Sequence, residues 1–209
     1  MSEIVDFLSE KRLSKYGNPT EQQTVAEYFF NVELCKSFYP LLSQFEVVLR
    51  NKIDYVFSKY MGENWIFDFV KQDNKLIEEQ NIVDRNELID SLTFAFWSRL
   101  FMSDRNEQIW DKYPNALGDI FSKRREFIRR EKVCFEIDQI RRYRNRFSHN
   151  GSLLICQKKH LPCHKMHNLL LRMMRELGAE SVLEYVKPID DFDNIFKRGL
   201  DSGFITCKI

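Results

Sequence analysis

Arg144, Asn145 and His149 bring together a permanent cation, a neutral hydrogen-bonding amide and a group that titrates near neutrality. Those are the side-chain types needed to move a proton beside an anion. They lie in the run Arg141-Arg142-Tyr143-Arg144-Asn145-Arg146-Phe147-Ser148-His149, with Asn150 and Gly151 directly after it. Asparagine and glycine tolerate the left-handed conformation that closes a last helical turn, so the pair reads as a helix exit. His149 is therefore expected in the final turn, near the negative end of the macrodipole, where the imidazolium is favoured.

The element that must position these groups is a helix over about 132–149. Val133, Ile137, Ile140, Arg144 and Phe147 recur at four-three-four-three spacing and trace one apolar stripe. Arg144 stands in that stripe where leucine is expected, and a guanidinium is not desolvated alone. It must meet a carboxylate, or lie at an interface or cleft that receives an anion. Asn145 and His149, four apart, share a face. From Arg144 to His149 the helix turns by about 140°, so the two converge only through the long arginine side chain or across two chains. That geometry favours a site assembled at a dimer seam. The alternative is a helix end whose arginine meets a neighbouring acid and whose histidine only caps carbonyls.

Helices are expected nearly throughout. Residues 3–16 carry Ile4, Phe7, Leu8 and Leu13 before a Gly17-Asn18-Pro19 break. Thr20 and Gln23 read as a capping box for a helix running toward Phe38. Pro40 then reads as the first position of another, with Leu42, Phe45, Leu49, Ile53, Val56 and Tyr60 at three or four spacing until Gly62. Asp84 and Glu87 form a capping box before a central helix over 88–102, whose Phe94, Phe96, Trp97 and Phe101 are expected in the core, a base-stacking platform being the alternative. Further helices are expected over about 118–130, 165–177 and 181–186, with a polar tail over about 188–209 that contains Phe192 and Phe196. No internal repeat or low-complexity segment is visible.

With Arg144 and His149 at Arg-x4-His spacing and Asn145 directly after the arginine, the chain resembles the HEPN domains. Glu27-Tyr28-Phe29-Phe30-Asn31-Val32-Glu33-Leu34 and the run from Leu41 to Asn51 look like the amino-terminal half of the Abi-like (abortive-infection-type) group of that family. Phe96-Trp97-Ser98-Arg99-Leu100-Phe101 and Tyr113-Pro114-Asn115 fall where that group carries a Trp-containing helix and a Pro-Asn turn, so the likeness spans most of 20–155. Members often carry a second histidine directly after the motif histidine; here Asn150 stands in that place. The resemblance implies a single all-α HEPN-type bundle over 1–209. It also implies a metal-independent endoribonuclease acting as a homodimer with a composite active site, in bacterial phage defence or as a toxin with a possible antitoxin partner. Carried over, His149 is the general acid or base at the ribose 2′-hydroxyl or the leaving 5′-oxygen, Arg144 binds the scissile phosphate, and Asn145 orients one of them. Arg141, Arg142 and Arg146 are expected to bind RNA. No cofactor is implied. The alternative is a non-catalytic RNA- or protein-binding helical dimer.

Composition agrees with this class without selecting it. A chain of 209 residues with 44% hydrophobic content, 18 phenylalanines, 7 glycines and 5 prolines suits one packed, helical globule. The net charge of +1 gives no global pull on nucleic acid, yet residues 123–146 hold ten Lys or Arg against four acids, a basic segment leading to the motif. A solvated helix face with ordinary ion pairs explains the same segment equally well. Cys35, Cys134, Cys156, Cys163 and Cys207 form no disulfide framework, and neither a signal peptide nor an apolar run near 20 residues is present, so a reduced cytoplasmic protein without membrane association is expected. His160, Cys163, His164 and His167 invite a zinc reading, but Pro162 disturbs their spacing and no second Cys or His pair completes a site. They are expected to open the next helix or flank the RNA groove.

Overall fold

The computed structural model describes residues 2–71, 84–124, 127–149, 151–154 and 161–205, and among these there are helices and no strand. They fall into two compact units, each assembled from separate stretches of chain: residues 1–43, 142–171 and 181–209 in the first, 44–141 and 172–180 in the second. The helices Gln22–Met61, Arg130–Ser148 and Cys163–Glu176 each contribute residues to both. No helix among the described residues is long and apolar enough to cross a membrane.

In the first unit the chain opens with α1 (Ser2–Leu8) and α2 (Glu10–Leu13), parted at Ser9, whose positive φ of 66° interrupts the single helix expected there. Asn18, not a Thr20–Gln23 capping box, organises the next entry. Its Oδ1 accepts from the backbone N–H and hydroxyl of Thr20 at 3.3 and 2.9 Å, and its carbonyl accepts from Glu21 N–H at 3.0 Å. The next helix, α3 (Gln22–Met61), runs unbroken through Pro40. A proline inside a helix removes one bond and costs about 3 kcal/mol. Here Leu34, Phe38, Leu41, Phe45, Leu49 and Ile53 are all fully buried at helical spacing on both sides of it, and that continuous face outweighs the local penalty.

Phe38 is the hub of this unit: its ring meets Tyr143 at 5.2 Å, His167 at 5.8 Å and Phe192 at 4.8 Å. Phe192 opens a helix over Phe192–Asp201, so the segment expected as a polar tail is instead an amphipathic core element. Gly199 lets that helix approach closely, because a Cβ there would lie 2.6–2.7 Å from Ile205 and Phe30 side-chain atoms.

The second unit is built around aromatic residues. Phe57 meets Trp65 at 5.0 Å and Trp110 at 5.9 Å, while Phe101 stacks on Trp110 at 5.3 Å. Trp110 Nε1 donates to the Leu100 carbonyl at 2.9 Å, which satisfies its buried polar atom. Asp84 caps the helix Arg85–Ser91 by accepting from Glu87 N–H at 2.9 Å, as its sequence indicates. The expected helix over 88–102 is broken after Ser91, where Leu92 and Thr93 are extended and a second helix, Phe94–Arg99, begins. Phe94, Trp97 and Phe101 are buried and Phe96 is half-buried. Beyond the turn at Tyr113-Pro114-Asn115 comes only a short helix, Ala116–Ile120, where a longer one over 118–130 was expected.

Arg124, Glu136, Arg172 and Glu176 close an alternating ring of charge in this unit. Arg124 Nη1 lies 3.5 Å from both glutamates, and Arg172 reaches Glu136 at 2.9 Å and Glu176 at 2.7 Å. Arg124's side chain is 2% exposed, so only this double pairing makes its burial tolerable.

Candidate functional site

The motif helix spans Arg130–Ser148, close to the boundaries its sequence indicates, with Val133, Ile137 and Ile140 fully buried. Beyond Ile140 the buried slot is taken by Tyr143, 3% exposed, and Arg144 is half-buried beside it. Positions three and four residues on share a helical face, and the aromatic ring is cheaper to desolvate than the guanidinium. Arg144 therefore sits at the margin of the stripe, not within it. Asn145 is half-buried and His149 exposed, with the His149 backbone N–H bonded to the Asn145 carbonyl at 3.0 Å. The histidine thus stands one turn above the amide, on the solvent side of the helix end.

The chain just past His149 is held tightly. The Gly151 N–H donates to the Arg146 carbonyl at 2.7 Å, a six-to-one bond that ends the helix. Gly151 itself takes no left-handed φ, and Asn150 lies outside the described residues. The glycine is needed for space: a Cβ there would lie 2.5 Å from Arg146 Cγ and 3.0 Å from the Arg146 carbonyl oxygen. Two residues on, the Leu153 N–H donates to Asn31 Oδ1 at 2.6 Å. Asn31 is 2% exposed and comes from the middle of α3's first half. A buried amide from α3 therefore helps to fasten the chain beyond the motif.

The other basic residues divide by what holds them. Arg146 points inward, where burial pushes its guanidinium pKa down against the opposing effect of Tyr143, Tyr16 and Cys35. Burial also raises the Cys35 thiol to about 12 and the Tyr143 hydroxyl well above its ordinary range. Arg141 is half-buried and grips Asp138 Oδ1 through Nε at 3.2 Å and Nη2 at 2.6 Å. Arg142 is exposed. Arg142, Arg144 and Arg146 each engage other groups of the protein. Upstream, Arg130 donates to the Phe101 carbonyl at 2.7 Å and pairs with Glu131 at 2.8 Å. Much of the basic segment is thus committed to structure, as the ion-pair reading of its composition allows, and Arg125 lies outside the described residues.

Of the histidine and cysteine cluster, Cys163, His164 and His167 are taken up in packing. Cys163 begins the helix Cys163–Glu176, and burial raises its thiol to about 11. His167 Nε2 lies 2.8 Å from Asp190 Oδ2, and its ring stacks on Phe192 at 4.2 Å with an interplanar angle of 13°. His164 lies 5.4 Å from Phe196, and burial first, then Lys165, lowers its pKa. Among the described residues no group of three or more His, Cys, Asp or Glu is placed to hold a metal; His160 lies outside them.

Gly151 is legible in sequence as part of the helix exit, and Tyr143 as the apolar residue three positions after Ile140; Asn31 carries as much of the site's architecture with no local signal of its bond to Leu153. Comparison with protein families, with curated proteins and with solved structures finds no match to this chain.

Proposed function

We propose that this chain is a metal-independent endoribonuclease of the HEPN type, cutting RNA through its 2′-hydroxyl. The observation that carries the reading is an exposed His149 at the end of a helix with one buried face, one turn beyond Asn145 and five residues beyond a half-buried Arg144. In the reaction His149 takes the proton of the ribose 2′-hydroxyl. The 2′-oxygen attacks the adjacent phosphorus, the bond to the 5′-oxygen breaks, and that oxygen leaves with a proton. The products are a 2′,3′-cyclic phosphate and a 5′-hydroxyl. Arg144 meets the charge that develops on the phosphoryl oxygens, and Asn145 orients the reacting groups.

One histidine cannot both remove and deliver a proton in a single in-line step. A two-fold dimer repeats every contact across its axis and brings a second His149 and Arg144 to the same cleft. The half-buried position of Arg144 at the stripe's margin suits such a seam, where water and phosphate reach it. Arg142, exposed one helical turn before Arg146, is the arginine best placed to touch an RNA backbone; a role in phage defence or as a toxin with an antitoxin partner rests on the resemblance alone.

The test is incubation of the purified chain with RNA in excess EDTA, beside Arg144→Ala and His149→Ala. Cleavage is expected in the wild type and lost in both variants, with helical content and dimerisation retained. A wild type that binds RNA without cutting it supports the non-cleaving binding dimer instead. Full activity in His149→Ala removes the mechanism, and a monomer that cuts RNA removes the composite site.

A further inference from the structure

A cavity of about 600 Å³ in the second unit is lined by Lys123, Arg124, Lys132, Arg172, Arg175, Glu176 and Glu180. Its walls are held in place locally. Lys123 N–H donates to the Glu176 carbonyl at 3.1 Å, which fixes the 123–124 segment to the end of the helix Cys163–Glu176. Gly178, at φ +79°, closes that helix, while Ala179 N–H bonds back to the Met174 carbonyl at 3.0 Å. Arg124, Arg172 and Glu176 of its lining belong to the ring that Glu136 completes, whose charges cancel.

The surplus in the cavity is positive however the pairs are drawn, because five cations face Glu176, Glu180 and, behind them, Glu136. Exposed Lys123 and Arg175 stand at the wall, and the deeply buried Arg124 keeps an Nε without a hydrogen-bond partner. A buried guanidinium nitrogen left over from two ion pairs is costly. Cations converging in a concave, partly desolvated space focus a positive potential that an anion relieves. Arginine forks match phosphate oxygens in pairs, and lysines add point charge. The volume lies in the range of small-molecule sites. No aromatic ring is among the described lining residues, so none of them offers a platform for stacking a base.

We infer that this cavity is a binding site for a small molecule carrying two or more clustered phosphates, recognised by charge and not by a nucleobase. It shares no residue with the proposed cleavage site, since all its lining residues belong to the second unit and Arg144, Asn145 and His149 belong to the first.

The test is isothermal titration of the intact protein at low salt with inorganic tripolyphosphate, with sulfate and with a short single-stranded RNA. Tripolyphosphate should bind one to one, with sulfate at least about tenfold weaker because fewer charges are matched. Lys123→Glu and Arg175→Glu, both at exposed positions, should each weaken tripolyphosphate by roughly tenfold while leaving helical content unchanged. RNA should not compete. Absence of saturable binding at millimolar tripolyphosphate, or binding that both reversals leave unaltered, overturns the inference. Competitive displacement by the RNA also overturns it, by showing that the cavity belongs to a nucleic-acid surface.

Discussion

Asn31→Ala should loosen the segment beyond the motif without unfolding the rest of the chain. Asn31 is 2% exposed and Leu153 3% exposed, and the Leu153 N–H reaches Asn31 Oδ1 at 2.6 Å. Removing the acceptor leaves a buried donor unmatched, which costs about 1–3 kcal/mol. Near-complete burial of both partners denies the orphaned N–H water, so a central value of about 2 kcal/mol is expected, equivalent to roughly a 30-fold change in a local opening equilibrium. The direct assay is native-state amide hydrogen exchange. Leu153 should lose about 30-fold of its protection, whereas amides of Leu49 and Ile53, in the other unit, should stay within about twofold. If the proposed chemistry holds, RNA cleavage should fall in the same variant, since residues 151–154 lie directly beyond His149. Unchanged exchange at Leu153 would show that the Asn31 contact does not hold this segment, and the account of how the motif is fixed would fail.

Two other perturbations probe the buried charge and the half-buried Cys35 thiol. Arg124→Met leaves Glu136 and Glu176 sharing Arg172 alone, and loss of one partner from a buried ionic network should lower unfolding stability by about 3 kcal/mol; a urea midpoint equal to wild type would show that the ring is energetically idle. Burial raises Cys35 from an ordinary 9.0 to about 12, and Tyr143 moves the same way. The folded state therefore favours their protonated forms, and this stability is complete below pH 9 and is lost as pH rises from 9 toward 12. Urea midpoints should fall between pH 8 and pH 10.5, and Cys35 should react slowly with alkylating reagents at pH 8; a flat profile with fast labelling would contradict its placement.

The elements legible in sequence were those whose signal is local. Asp84 capped its helix because a carboxylate before Glu87 N–H needs no distant partner, and the motif helix kept its period through Val133, Ile137 and Ile140. Pro40 misled because its penalty is local, whereas the burial of Phe38, Leu41 and Phe45 that overrides it depends on the folded surroundings. The stretch after Pro188 read as a tail because its apolar residues are sparse, yet Phe192, Ile195 and Gly199 fall on one face of a helix and are buried. Leu92 and Thr93 break an apolar run that has no Gly or Pro to announce the break. At the site, the types and the helix end were legible. Which of Tyr143 and Arg144 takes the buried slot was not, because both lie within a turn of Ile140 and only packing ranks them.

The way the first unit is pieced together sets an order on the ribosome. Phe38, Tyr143, His167 and Phe192 meet around one centre, yet Phe38 emerges during synthesis more than a hundred residues before the other three. The amino-terminal 43 residues cannot finish packing until residues 142–171 and then 181–209 have been made. Until then the apolar face of α3 around Phe38 lacks its late-synthesised neighbours, and transiently exposed apolar surface of that kind favours association over folding. The aromatic centre that buries Tyr143, in the same helix as Arg144, is thus completed only once Phe192 has been made.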